Sequence, residues 1–394
     1  MTDTDAPTPT LKTKGLTTFD DLTQDLVWPR LLRAGLLAFH PARMAICLFG
    51  ALAMLVLHWG AFELEVALGI ATGDAAGADS GAALSGVVPW EVGVSVVDAF
   101  VRAPVEYVGR HPLQALLATP ISLALLLVLA AATSRSAATE FATSRAEPMR
   151  AAVRFGSSRT ASLLGAILGP VVLVWLIAVL LAACGFVLFR WPVLNIVGGL
   201  FYGVSLAFGA IAVFLMFAYT LGAPMLVPAI CCDGADTLDA VQRAYSYVLA
   251  KPLRLLVYAA ILVVQGAVLV SVVIAFCLAV TYFTSNMSGA WAGERGADTL
   301  RTFGNPTLFQ GAPAPGAGSF GAAGFLVRVW TVIPAALPMG FMLSYAACAA
   351  TMLYLGMRRV CDGQDMHELW SPEEDREHAL GAGAVPADND ADAE

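Results

Sequence analysis

Charge is scarce in this chain, and its distribution says more than its amount. Only 13% of the 394 residues are Asp, Glu, Lys or Arg, against about 25% in an ordinary soluble domain, while 58% are hydrophobic and mean hydropathy is +0.73. Residues 160–189, 191–232, 255–292 and 329–357 contain no charged side chain. Each run exceeds the roughly 20 residues that cross a bilayer. An Asp, Lys or Arg at mid-membrane costs about 2.5–3.5 kcal/mol on the insertion scale, so four long uncharged runs mark hydrocarbon as their solvent. A soluble globular fold is excluded.

Other absences narrow the function. There is no basic domain with interleaved aromatics, which removes nucleic acid as a partner. The seven cysteines show no CxxC or zinc spacing and hence no disulfide framework. Cys231-Cys232 reads either as a reactive pair at the membrane surface or, more economically, as two small residues at a helix end. The chain lacks HExxH, a P-loop, GxGxxG after a strand, and GxSxG. Its histidines (40, 58, 111, 367 and 378) are scattered, and Ser157-Ser158 has no histidine partner. No catalytic or cofactor-binding constellation emerges, and the expectation is a non-enzyme. Cys361, Asp365, His367 and Glu368 gather possible metal ligands, but an acidic segment after the last span accounts for them without a metal. No positively charged n-region with a short apolar core opens the chain, so no cleaved signal peptide is expected. The net charge of −8 is local: residues 362–394 hold 11 of the 30 acidic side chains and one arginine, and the rest of the chain is close to neutral.

What is present centres on residues 224–262. A long uncharged segment reaches Pro224 and Pro228, a short charged stretch follows, and Lys251-Pro252 opens a second uncharged segment. The charged stretch predicts an amphipathic helix. Asp236 is the expected N-cap and Asp239 a short-armed capping-box partner. Leu238, Val241, Tyr245, Val248 and Leu249 share one face, and Asp239 and Arg243 pair at i,i+4 on the other. Lys251 suits the negative end of the helix dipole, and Pro252 interrupts the run into the next span. At about 14 residues this helix is too short and too charged to cross, so it is expected to lie in the interface as an elbow.

The arrangement recurs. Residues 149–157 align without gaps on 238–246, bringing Arg154 onto Arg243, and Arg33 with His40-Pro41 echoes Arg243 with Lys251-Pro252, one residue out of step. Three units of elbow plus hairpin give six spans. The predicted fold is all-α, a polytopic bundle of about six transmembrane helices with amphipathic cytoplasmic elbows. An N-terminal tail and surface helix occupy 1–42, and the membrane domain 43–360 has spans near 43–62, 113–133, 160–189, 195–221, 254–283 and 325–357. An acidic tail covers 361–394; its composition and that of residues 1–17 predict disorder. A short amphipathic helix is expected within 89–108, in the first outer loop. An N-inside arrangement places 16 of the 22 basic residues on the inner side. The expected location is therefore a cytoplasmic (inner) membrane with both termini cytoplasmic.

In the segment from Pro228 to Pro252, and in the closing Arg-Arg-Val-x-Asp-Gly of Arg358 to Gly363, the chain resembles uncharacterised polytopic membrane proteins of planctomycete-type bacteria. The likeness lies in an Asp-Gly-x-Asp elbow followed by Asp-Ala and Arg-x-x-x-Tyr. It implies architecture only and carries over no functional residue.

Two functional expectations follow. The first is a membrane-organising or accessory protein. Its partners would be the lipid bilayer and, through Arg150, Arg154, Arg243 and Lys251, anionic headgroups or another membrane protein; arginines that merely fix helix depth are the plainer alternative. The second is a transporter or channel with a path among spans 3 to 6, near Gln265 and a helix break at Pro334 and Pro338. The apolar runs hold no ionisable group of the kind ion-coupled carriers keep, which weighs against the second. The spacings Gly165-x3-Gly169 and Gly199-x3-Gly203 could mark close helix crossings, though 36 glycines make such spacings commonplace.

Overall fold

The computed structural model describes residues 28–70, 102–192, 194–304 and 319–370. The tails expected at 1–17 and beyond 370, and most of the helix expected within 89–108, lie outside the described residues. Among those described, all regular structure is helical. In chain order these are α1 (Trp28–Leu31), α2 (Arg33–Ala38), α3 (Pro41–Ala67), α4 (Ala103–Arg110), α5 (Thr119–Thr143, entered through a π-turn at Gln114–Ala118), α6 (Met149–Ser158), α7 (Thr160–Phe189), α8 (Leu194–Leu200), α9 (Tyr202–Asp233), α10 (Thr237–Ala250), α11 (Pro252–Gly289), α12 (Gly293–Phe303) and α13 (Ser319–Asp362). Six helices are long and apolar enough to cross a membrane: α3, π-turn plus α5, α7, α9, α11 and α13. The chain is a multi-pass helical membrane protein.

The six spans are those expected, but most run longer. Pro224 and Pro228 do not end α9, which continues to Asp233 and stops at Gly234, whose φ of 64° is the left-handed cap that glycine supplies without strain. Pro334 and Pro338 lie within the unbroken 44-residue α13. Neighbouring helices shield and hold a backbone that would kink in isolation. The expected fourth span divides into α8 and α9 near Phe201. At 1.5 Å per residue α13 is about 66 Å long, well beyond a hydrocarbon core of about 30 Å. One end must therefore stand outside the membrane.

Burial identifies that end. In α13 the run from Gly340 to Arg358 contains nearly all the buried positions, and the segment before Ala336 is mostly exposed. In α7 burial is confined to Leu163, Ala166, Pro170 and Val174, all in the first half, and in α9 it begins only at Ala212. The three hairpins (α3–α5, α7–α9 and α11–α13) are thus packed firmly at the end carrying the elbows and present Leu, Val, Phe and Ile outward elsewhere. Such a surface is stable only against lipid. Small residues let the packed end close: a Cβ on Gly340 would lie 2.8 Å from Leu48 Cα, and one on Gly156 2.9 Å from the Val128 carbonyl oxygen. Of the two Gly-x3-Gly spacings, only Gly165 makes a close approach, to Thr237, while Gly169, Gly199 and Gly203 face open space.

At the opposite end, Glu65 belongs to α3 and not to the outer loop. It is fully buried, with its carboxylate 3.1 Å from His111 Nδ1 and accepting from the Gln114 backbone N–H at 2.9 Å. That N–H lies in the first turn of the helix, where it has no intrahelical acceptor, and the carboxylate takes it up.

Candidate functional site: the elbow end of the bundle

Three short helical segments precede the three hairpins: α1–α2 before α3, α6 before α7, and α10 before α11. They gather at one end of the bundle, because the end of each hairpin meets its own start. Arg43 at the start of α3 is buried and ion-paired with Glu140 near the end of α5, while its Nη1 donates to the Leu37 carbonyl at 2.7 Å. Arg159, before α7, lies 3.7 Å from Asp236, after α9. Lys251, before α11, donates through Nζ to the Val360 carbonyl of α13 at 2.6 Å. The N-terminal helices and the segment after α13 therefore share one end.

The centre of this end is Asp233. A carboxylate on the last residue of α9 sits at the negative end of the helix dipole, so it requires cations. Arg358 of α13 donates Nη1 to Oδ1 at 2.5 Å, Arg243 of α10 donates Nη1 to Oδ2 at 2.8 Å, and the Tyr354 hydroxyl donates to Oδ2. The side chains of Asp233 and Arg358 are 8% and 3% exposed. Arg358 also donates Nη2 to the carbonyls of Asp365 (2.8 Å) and Glu368 (2.5 Å), which folds residues 363–370 back over the bundle. The segment ends on Trp370, whose N–H donates to the Cys232 carbonyl at 2.8 Å and whose ring covers Gly234. Arg135 of α5 donates Nη1 to the carbonyls of both Cys231 and Trp370, each at 2.9 Å. Its guanidinium carbon lies 5.2 Å from the Phe155 ring centre and 5.9 Å from that of Trp370. Beneath this strap Cys231 and Cys232 are fully buried. A cleft of about 550 Å3 remains between strap and bundle, lined by Asp233, Arg243, Arg358, His367 and Trp370 among others.

No family model, curated protein or solved structure matches this chain. The geometry alone must carry the reading.

It divides the residues singled out in the sequence. Asp236 occupies the N-cap of α10 in extended conformation, but its side chain makes no capping bond and turns instead toward Arg159. Asp239 pairs with Arg243 as expected, at 3.0 Å. Arg243 is drawn inward to Asp233 and Lys251 to Val360, so neither is a free contact for lipid. Pro252 is the first residue of α11, where its missing N–H costs nothing. The buried stripe of α10 is Ala240, Ala244, Tyr247 and Val248, whereas Leu238 and Leu249 face outward. The small alanines let α10 lie close on α9, a preference that a search for large apolar residues misses. Arg150 and Arg154 stay exposed on α6, and with exposed Arg145 their guanidinium groups have no ion-pair or hydrogen-bond partner among the described residues. Gln265 donates Nε2 to the Leu32 carbonyl at 2.7 Å and accepts from Tyr345 at 3.2 Å, tying α1–α2 to α11 and α13. Among the described residues no three His, Cys, Asp or Glu side chains gather as a metal site.

The surroundings shift several titrations. Burial, then the Asp362 carboxylate that accepts its hydrogen bond, pushes the Tyr247 hydroxyl well above the ordinary phenol range. Burial also raises Tyr245, to about 12. Burial and neighbouring Arg43 hold the His40 imidazole below its usual value. Hydrogen bonding from His367 holds Asp365 below the ordinary carboxylate range. Asp233 and Arg358 entered the sequence reading only as members of the Asp-Gly-x-Asp elbow and the closing Arg-Arg motif, and Arg135 was not singled out, because each stands near the boundary of an apolar run, where a charge is unremarkable.

Proposed function

We propose that this chain is a non-catalytic organising or accessory protein of a bacterial cytoplasmic membrane, seated with its elbow end in the cytoplasm, and that α6 engages anionic lipid headgroups. The observation that carries the reading is the fate of four nominated cations. Arg243 and Lys251 are bound within the protein, while Arg150 and Arg154 remain exposed without partners among the described residues. Helix α6 buries Ala152 and Gly156 against α5 and leads directly into the span α7 at Thr160. Its outward arginines therefore stand at the level where a span meets the headgroups. The elbow end also carries Arg30, Arg33, Arg43, Arg135, Arg145, Arg159, Arg254, Arg358 and Arg359, an excess that favours the cytoplasmic side.

Each exposed basic residue near an anionic surface contributes about 1 kcal/mol, so neutralising two lowers affinity by up to about thirtyfold. The test titrates detergent-solubilised protein with phosphatidylglycerol and with phosphatidylcholine. The Arg150→Gln/Arg154→Gln protein is expected to lose most of the wild-type preference for phosphatidylglycerol, and Lys251→Gln, whose ammonium is already held by the Val360 carbonyl, to lose little. An unchanged preference in the double variant overturns the reading. A transport path among spans 3 to 6 has less support: Gln265 is bonded on both sides and α13 is continuous through Pro334 and Pro338.

A further inference from the structure

A groove runs along α11 beside the first elbow. It has a volume of about 530 Å3 and is lined by Leu32, between α1 and α2, and by Ile261, Val264, Gln265, Val268 and Leu269 of α11. Those five positions of α11 fall at i, i+3, i+4, i+7 and i+8, one face of a helix. The elbow is fastened against that face and forms the wall of the groove. Gln265 Nε2 donates to the Leu32 carbonyl at 2.7 Å and the Tyr345 hydroxyl donates to Gln265 Oε1 at 3.2 Å, so the polar side chain of the lining is already engaged. Gly35 permits the approach, since a Cβ there would lie 2.8 Å from Leu269 Cδ1. What remains is a concave apolar surface on a span, along which Val264 is 63% exposed. Hydrocarbon is the medium that fills such a surface.

The same face carries a cation at its elbow end. Arg254 precedes Ile261 by seven residues, which is two turns or about 10.5 Å along the axis. It is exposed and has no ion-pair or hydrogen-bond partner among the described residues. It also stands in the first turn of α11, where the positive end of the helix dipole adds to its own charge. Lys251, one turn earlier, is already bound to the Val360 carbonyl. A cation followed two turns later by an apolar groove has the polarity of a phospholipid, phosphate first and chain after.

We propose that this groove is a site for one anionic phospholipid, its phosphate on Arg254 and an acyl chain laid along Ile261 to Leu269. Arg254 selects the charge of the headgroup, and the wall at Leu32 distinguishes a held chain from the lipid that bathes the rest of the bundle. The site is separate from α6, and neither contact requires the other.

Photolabelling of the full-length protein in phosphatidylcholine nanodiscs tests it. The probe is a trace of phosphatidylglycerol, or of phosphatidylcholine, carrying a diazirine on one acyl chain, and the labelled residues are mapped by peptide mass spectrometry. The phosphatidylglycerol probe is expected to mark residues 260–269 more than the phosphatidylcholine probe does, and more than it marks the exposed stretch 176–180 of α7. Arg254→Gln should lower that labelling about fivefold, the factor for the loss of one basic contact worth about 1 kcal/mol. Val264→Trp fills the groove from an exposed position and should bring labelling down to that of the α7 stretch with the unfolding temperature unchanged. Equal labelling by the two probes, or no change in Arg254→Gln protein, overturns the anionic site and leaves bulk lipid only. Labelling of 260–269 no greater than that of 176–180 overturns the groove. A Val264→Cys protein that forms a disulfide-linked dimer in a cysteine-free background overturns the lipid as occupant in favour of a second copy. The Arg150→Gln/Arg154→Gln protein should label the groove as wild type does, even if its phosphatidylglycerol preference in the titration falls. A fall in groove labelling there equal to that of Arg254→Gln overturns the assignment of the phosphate to Arg254.

Discussion

Replacing Arg358 by methionine removes one cation from a carboxylate that is only 8% exposed and cuts two of the bonds that hold the strap. Breaking one side of a buried ion pair costs about 3–5 kcal/mol, because the surviving charge is left without compensation. Arg243 still reaches Asp233 at 2.8 Å, which places the expected loss at the lower end, about 3 kcal/mol. The loss should concentrate where the strap lies. Cys231 and Cys232 are fully buried, and the chain beside them is held by the Trp370 N–H, so strap opening exposes them. Thiol labelling followed by peptide mapping reads this directly. If opening is local, about 3 kcal/mol becomes roughly a hundredfold increase in labelling rate at Cys231 and Cys232, with Cys277 of α11 as internal reference. Asp233→Asn tests the same pair from the other side, and the Asp233→Asn/Arg358→Met double variant should cost less than the two singles combined. Unchanged labelling and unchanged thermal unfolding in Arg358→Met protein would refute the view that this pair closes the elbow end.

Further outcomes follow from the same geometry. Gly234→Ala must adopt φ 64° and place a Cβ 2.6 Å from the Trp370 ring, so it should destabilise by at least about 1–2 kcal/mol and speed labelling of Cys232. Gly340→Ala drives a Cβ into the Leu48 backbone at 2.8 Å, which should cost about 1–3 kcal/mol by parting α3 from α13 and be seen as a lower unfolding temperature in detergent. Gln265→Leu removes the shorter of two bonds to the Leu32 carbonyl, which keeps the Gly35 N–H at 3.3 Å, at a loss of about 0.5–1.5 kcal/mol, measurable as faster amide exchange in α1 and α2. For pH, the Tyr247 hydroxyl is raised in the folded protein, so its contribution is complete below the ordinary phenol value of about 10 and is lost as pH rises above it. Tyr247→Phe protein should therefore show a shallower alkaline fall in unfolding temperature than wild type.

Hydropathy made the span count legible because the same solvation energy that stabilises each helix in lipid also forbids charge in its sequence. Helix ends were less legible. Pro224 and Pro228 read locally as a stop, yet packing against neighbouring helices carries α9 on to Asp233. The elbows were found from their charge and prolines, and Val241, Tyr245 and Val248 of the expected face of α10 do pack against the core, but Leu238 and Leu249 face outward and the closest approach is made by Ala240 and Ala244. The i,i+4 pair of Asp239 and Arg243 could be read because it is local. Asp233 with Arg358, 125 residues apart, could not: nothing in either neighbourhood encodes the partner. The strap escaped notice for the same reason, as its anchors are backbone carbonyls that any residue supplies.

The central claim is that three elbows stand on one face of a six-span bundle, and side-specific thiol labelling tests it most directly. In a cysteine-free background, Ser158→Cys on α6 and Ser246→Cys on α10 occupy exposed elbow positions, and Trp291→Cys replaces a residue 95% exposed at the other end of α11. In intact cells an impermeant maleimide should reach Trp291→Cys alone, with Ser158→Cys and Ser246→Cys labelled only after the cytoplasmic side is opened. Labelling of Ser158→Cys and Ser246→Cys from opposite sides would contradict the account.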